Sequence, residues 1–410
     1  MKSTVTLVAA PAAAIALLIT AAPALAAGGK PTNSEKVAKL LSPAQDMMKS
    51  KNWSGALAKI KEAEGLPDKN PFDVYTIAEF ACQANIGAGN YSEAAKACEE
   101  QLNNSYMNEA NVPRQVHILQ AVNYQIKNYD KAVEYGQRAV KAGTASEEDK
   151  NILAQAYYLK GDWKNTVKIE DSLVDQEIKA GQQPKDQQLA LVLSACVKLE
   201  DAACQEHALE RMVAYYPKPE VWKQLLFTVQ KETSGNDSAT LQTYRLMSEV
   251  DVLSQPSDFN EAAQLALEAG SPGEAQKFLE KGFASNAFTD QRIKDRNTRL
   301  LETVKKTAAT DQASLPKTEK EAETSATGAK NVGVGLAYLG YGQYDKAADE
   351  ISKGLAKGGV KSEPEARLLL GIAQLKGGHK DEAVKSFKAV KGDPNLEKLA
   401  NLWALHARQA

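Results

Sequence analysis

Apolar residues recur at spacings of three and four along almost every segment of this chain, and β-branched runs are few. That period belongs to amphipathic helix and predicts an all-α protein. One short arrangement marks where many of the helices start. Asn52, Asn90, Asn128 and Asp162 each stand immediately before an aromatic, Trp53, Tyr91, Tyr129 and Trp163, and the aromatics fall 38, 38 and 34 residues apart. Asn and Asp are strong N-caps, because the short side-chain oxygen accepts an N–H of the first turn that has no partner in the helix. Glu93 after Asn90 adds the reciprocal carboxylate of a capping box. A small residue three positions after the aromatic, such as Ala56 or Ala94, leaves room for a neighbouring helix to approach closely. The helices therefore come in pairs at a fixed period, the mark of a repeat.

The clearest pair is "NVGVGLAYLGYGQYDKAADEISKGLAKGG", residues 331–359. Val334-Gly335 followed by Tyr338, then Ala347 followed by Ile351, resembles the tetratricopeptide repeat pattern. The next pair repeats it with Leu370-Gly371, Ala383 and Phe387, and Pro394 ends the unit. Ala56, Ile60 and Ala63 hold the same register in the first pair, and Trp222 with Leu225 opens another. In this reading Gly335, Gly371 and Ala154 face small residues such as Ala347 and Ala383, where two backbones come closest. One hairpin cannot bury its apolar face alone, so the units must stack into an α-solenoid, a TPR-like superhelix of about eight or nine units.

Residues 1–26, "MKSTVTLVAAPAAAIALLITAAPALA", have a basic start, an apolar run and a small-residue exit, the form of a secretory signal peptide. Pro11 inside the run argues against an uncleaved anchor, and no Cys precedes Cys82 to carry a lipid. Removal of Lys2 leaves 49 basic and 52 acidic residues, so there is no charge field that calls for nucleic acid or an anionic membrane. The expected division is an N-terminal solenoid block over 27–302, a polar linker or eroded repeat over 303–330, and a C-terminal block with a terminal capping helix over 331–410. The middle segment is rich in Lys, Glu, Thr and Ala, and Pro316 sits where a helix interior would be, at a cost of about 3 kcal/mol.

A narrower likeness lies in "LAQAYYLKGDWKNTVKIEDSLVDQEIKAGQQPKDQQLALVL", "RMVAYYPKPEVWKQLL" and "EARLLLGIAQLKGGHKDEAVKSFKAV". These stretches resemble periplasmic tetratricopeptide proteins that accompany TonB–ExbB–ExbD energy-transducing systems, in order over roughly residues 36–405. Scaffold positions such as Tyr157, Tyr158, Pro217, Trp222, Gly371 and Phe387 carry the likeness. It departs at 303–330 and at the four cysteines. The resemblance implies a periplasmic location and a partner among components of a TonB-type system.

No catalytic or metal constellation emerges. The four histidines, His117, His207, His379 and His406, lie far apart without ligand spacing. The glycines around Gly333 and Gly335 lack the third glycine and the preceding strand of a dinucleotide site, and neither a nucleophile elbow nor a P-loop occurs. The expectation is a chain that is not an enzyme and needs no cofactor.

Four cysteines in an exported chain favour bridges over metal binding. Cys82 and Cys98 lie almost evenly about the Gly89-Asn90 turn, and Cys196 and Cys204 about Glu200-Asp201. Residues equidistant from a hairpin turn sit opposite each other, which predicts Cys82–Cys98 and Cys196–Cys204 bonds, with four reduced, buried thiols as the alternative.

In tetratricopeptide stacks the first helix of each pair lines the concave face. Carried over by register, this implies a partner-binding lining of Glu79, Gln83, Val122, Asn151, Gln155, Tyr158 and Ser194, with amides for a bound backbone and Tyr158 as an anchor. The function expected is a non-catalytic periplasmic scaffold that binds a protein or extended peptide. The alternatives are a binding module for cell-wall glycan or an extended peptide unrelated to transport, and an enzyme such as a wall hydrolase.

Overall fold

The structure is a computed structural model that describes residues 31–409. The expected signal peptide therefore lies outside the described residues. Among those residues there is helix and no strand, and the chain separates into two compact units, 1–205 and 206–410, with the division inside one helix, Ala202–Tyr215.

The first unit runs as helical hairpins, α1 (Glu35–Lys49) with α2 (Trp53–Glu64), α3 (Pro71–Ala88) with α4 (Tyr91–Leu102), α5 (Val112–Gln125) with α6 (Tyr129–Lys141), and α7 (Glu147–Lys160) with α8 (Trp163–Lys179), followed by α9 (Asp186–Lys198); α10 (Ala202–Tyr215) carries the division. Asn52, Asn128 and Asp162 cap as the sequence predicts, each accepting the N–H three residues on. Asn90 does not. Its side chain turns back toward Asn85, and Glu93 pairs with Lys96 instead of closing a capping box. The reciprocal boxes form at the first helices of pairs, Asn70 with Asp73 and Ser146 with Asp149. Both of these carboxylates are buried, where an unpaired N–H would be most costly.

Each hairpin buries its stripe against the next. Val37, Leu41, Ala56, Ile60, Ile77 and Ala81 form one core across α1–α3, and Leu119, Val122, Tyr135 and Ala139 join α4 to the following pair. The small residues after the capping aromatics, Ala56, Ala94, Ala132 and Thr166, are all fully buried. Both predicted disulfides are present, Cys82–Cys98 with Cα atoms 4.8 Å apart and Cys196–Cys204 at 5.4 Å.

The second unit continues with α11 (Pro219–Thr233), α12 (Asp237–Glu249), α13 (Pro256–Glu268), α14 (Pro272–Ala284), α15 (Gln291–Glu323), α16 (Ala329–Gly340), α17 (Tyr344–Lys357), α18 (Glu363–Lys376), α19 (Lys380–Lys388) and α20 (Pro394–Gln409). The close approach expected at the glycines is found: a Cβ on Gly335 would come within 2.5 Å of Ile351, and one on Gly371 within 2.4 Å of Phe387.

Two expectations are corrected here. Of the two readings given for residues 303–330, polar linker or eroded repeat, the linker does not hold. Most of these residues form the second half of α15, a 33-residue helix that runs through Pro316. Val304, Ala308, Leu315 and Ala322 make a narrow buried stripe on it. Tyr341 Oη donates to Ala308 O at 2.9 Å and to Asp311 at 2.7 Å, and Tyr338 Oη to Glu319 at 2.8 Å. These contacts offset the one N–H that proline removes. Residues 331–410 are also not a separate block, because α16 packs on both α14 and α15 within the same unit.

The unit closes on itself. Nine consecutive residues of α12, Ala239–Met247, are buried, which requires neighbours on every side of that helix. α20 supplies one of those sides. Lys398 pairs with Glu206 at 2.7 Å and Glu232 at 2.5 Å, Gln409 Nε2 donates to Val213 O at 2.6 Å, and His406 meets the Trp222 ring edge-on.

Candidate functional site

In the first unit α5, α7 and α9 are the first helices of consecutive pairs, and between them opens a groove of about 540 Å³. Tyr124 and Gln125 come from α5, Glu147, Glu148, Asn151 and Gln155 from α7, and Gln187, Gln188 and Leu191 from α9. Lys185, just before α9, and Glu170, from the second helix α8, complete it.

The start of α7 is fixed from both sides. Asp149 accepts from Ser146 N at 2.8 Å and pairs with the Nδ1 of His117, while Gln120 Nε2 donates to Asp149 O at 2.7 Å. The bond to Asp149 raises the His117 pKa. Burial works against the Asp149 charge, but His117 and Ser146 hold its carboxyl below the ordinary range. Further along, Tyr124 Oη donates to Gln155 Oε1 at 2.8 Å, which leaves the Gln155 amide nitrogen free to face a ligand.

Glu170 sets the electrostatics. It is 2 % exposed, and its Oε2 has no partner at normal hydrogen-bond distance, although the Gln188 side chain lies near enough to favour the charged form. Burial first, and the Glu177 carboxylate second, push its pKa up to about 8. Glu147, Glu148 and Glu170 face the groove against Lys185, which is itself held by Glu147 at 3.2 Å. A site with surplus carboxylate, one of them buried and incompletely satisfied, is built to receive a cation with hydrogen-bond donors.

Of the residues expected to line a concave face, Asn151 and Gln155 meet in this groove. Tyr158 and Ser194 bond to each other across α7 and α9 at 2.7 Å, beyond the lining. Glu79 and Gln83 lie half-buried on α3, away from it, and burial raises the Glu79 pKa. Val122 is a correction. It has no exposed surface and belongs to the core shared with α4 and α6, because the apolar stripe of α5 turns it inward. The sequence reading missed Tyr124 and Glu170. Glu170 falls on a second helix, but it interrupts the stripe Thr166, Glu170, Leu173, Val174, and an acid on a buried stripe was the available signal.

No family model matches the sequence, and no curated protein matches it. Among solved structures the chain is similar to a tetratricopeptide repeat protein from Parabacteroides merdae, at 13 % identity over 73 % of this chain and 99 % of that one, with a TM-score of 0.31. It is similar to the TPR domain of P58(IPK) at 13 % identity over 91 % and 97 % of the two chains, TM-score 0.23. A chain of the APC/C hetero-tetramer Cut9-Hcn1 follows at 11 % identity over 90 % and 83 %, TM-score 0.21. The fold stands on the helix pairs themselves. It is an α-solenoid of stacked antiparallel hairpins.

Proposed function

We propose that this chain is a non-catalytic scaffold that binds an extended segment of a partner protein in the α5–α7–α9 groove, with a Lys or Arg of that segment set against Glu170. The observation that carries this reading is the buried, incompletely satisfied Glu170 carboxyl bordering a groove lined by side-chain amides. Amides pair with a peptide backbone regardless of sequence, and the carboxylates add the preference for a basic residue. With its pKa near 8, Glu170 is mostly protonated at pH 7. A cation docked beside it favours the ionised form, so binding releases a proton.

Calorimetric titration of short Lys- or Arg-containing peptides at pH 7, in buffers of different ionisation enthalpy, tests this directly. The expected result is release of up to about one proton per peptide bound, abolished in Glu170→Gln. Peptides with norleucine in place of lysine that bind equally well, with no proton exchanged, would overturn it.

The finer setting is the periplasm and a TonB-type envelope complex. The signal-peptide pattern, two disulfides and the likeness over residues 36–405 support it. Cross-linked pull-down from envelope extracts is expected to recover ExbB, ExbD or TonB-like components. Recovery of cytoplasmic chaperones alone would remove that setting.

A further inference from the structure

The closed second unit contains a cavity of about 150 Å³, roughly ten times what one water needs by the same measure. Arg245, Lys277, Lys281 and Lys376 line it, against the two carboxylates Glu249 and Glu274. These charges are not interchangeable. Arg245 grips both oxygens of Glu274, at 2.7 and 2.6 Å. Lys376 holds Glu249, whose other oxygen faces His406 at 3.8 Å; the His406 contact first and the Lys376 ammonium after it draw the Glu249 carboxyl down to about 2. Lys281 reaches Asp251 at 3.0 Å and the Ser248 carbonyl at 2.5 Å. Both carboxylates of the lining are thus taken. Lys277 is left at the mouth with no ion pair among the described residues. It sits over the Tyr344 ring, as Lys376 does, each at 6.0 Å. Although the side chain is exposed, desolvation beside the cavity and then the Lys376 charge lower the Lys277 pKa, against the pull of Glu274.

A second observation points the same way. Trp403, fully buried, also lines the cavity, and its indole Nε1–H has no acceptor. A buried donor without an acceptor is rare in a folded protein and costs about 1–3 kcal/mol. An unpaired ammonium and an unpaired N–H around one small space both call for oxygen acceptors carrying negative charge.

We propose that this cavity is a binding site for a small oxyanion, a phosphate group held between Lys277 and Trp403 with Lys376 adding to its field. The chemistry is shared by inorganic phosphate and by a phosphate ester of a small metabolite, and the titration separates them. The full chain is titrated with inorganic phosphate, glycerol phosphate and succinate, followed by calorimetry and by tryptophan fluorescence.

Saturable one-to-one binding of either phosphate is expected, weakened at least about tenfold in Lys277→Gln, the loss of one charge-assisted contact. Tighter binding of glycerol phosphate than of phosphate identifies an ester as the ligand, and the reverse order identifies the free ion. Lys380→Gln, a change at a helix start outside the cavity lining, leaves affinity unchanged. Lys277 is exposed at the cavity mouth, so its variant is expected to fold, and an unaltered circular dichroism melt verifies this. The assignment is overturned by absence of saturable phosphate binding, by equal affinity in Lys277→Gln, or by succinate binding as tightly as phosphate.

Discussion

Glu170→Gln is expected to stabilise the first unit at neutral and alkaline pH and to leave it unchanged near pH 4.5. The folded-state pKa of Glu170 is raised from 4.5 to about 8, so the native carboxyl keeps its proton over a range where the unfolded chain has lost it. Stability contributed by this group therefore falls as pH rises between those two values and levels off above the higher one. At pH 7 the penalty is about 3 kcal/mol, an order-of-magnitude figure for a group this deeply buried. Gln keeps the shape and cannot ionise, so it removes the penalty. For a unit of about 200 residues, 3 kcal/mol moves the midpoint by roughly 6–12 °C. Calorimetric melts of both proteins from pH 4.5 to 9 measure the difference directly. The raised His117 also loses stability with rising pH, above its ordinary value, but it does so in both proteins and cancels. Parallel stability curves, or a gap that widens toward acid, would refute the reasoning.

Replacing Cys82 and Cys98 by Ala removes a bridge spanning 16 residues and is expected to cost about 3 kcal/mol; the eight-residue Cys196–Cys204 bridge costs roughly 2–3, both read by urea unfolding. Arg245→Met strands Glu274 in a site where the pair is 4 % and 14 % exposed. About 3–5 kcal/mol of destabilisation is expected, with most of it recovered in Arg245→Met/Glu274→Leu. Gly371→Ala drives a methyl into Phe387 and is expected to cost about 1–3 kcal/mol, while Gly333→Ala, with nothing within 4 Å, is neutral or stabilising by up to about 1 kcal/mol. Equal melting shifts for the two glycine variants would contradict the packing described for α16 and α18.

The repeat architecture was legible because it rests on local rules. Asn52, Asn128 and Asp162 cap as short oxygens do, and hairpin symmetry alone paired the cysteines. Helix α15 was not legible over its second half. Its buried stripe is four residues wide-spaced along nineteen, two of them alanines, and its support comes from Tyr338 and Tyr341 on the next helix. Distant side chains of that kind leave no mark on the segment they hold. The lining was half legible. Register placed Asn151 and Gln155, but register cannot tell Val122 from its solvent-facing neighbours, and a rule confined to first helices passes over Glu170. The closure of the second unit was invisible for the same reason: α12 reads as a mixed-polarity surface helix, with Thr240, Gln242, Thr243 and Arg245, yet every one of them is buried.

That closure governs the order in which the protein can be made. Lys398 meets Glu232 across 166 positions and Gln409 meets Val213 across 196, so α12 stays uncovered on the side that α20 packs against until α20 has been threaded out. The first unit depends on nearest neighbours and can assemble progressively behind the exit site. Contacts between remote parts of a chain form slowly, because the intervening loop must close before they are rewarded. The first unit is thus expected to form as it emerges while α12 waits for α20, with a thirteen-residue helix that includes Thr, Gln, Arg and Leu as the surface a nascent-chain chaperone would meet.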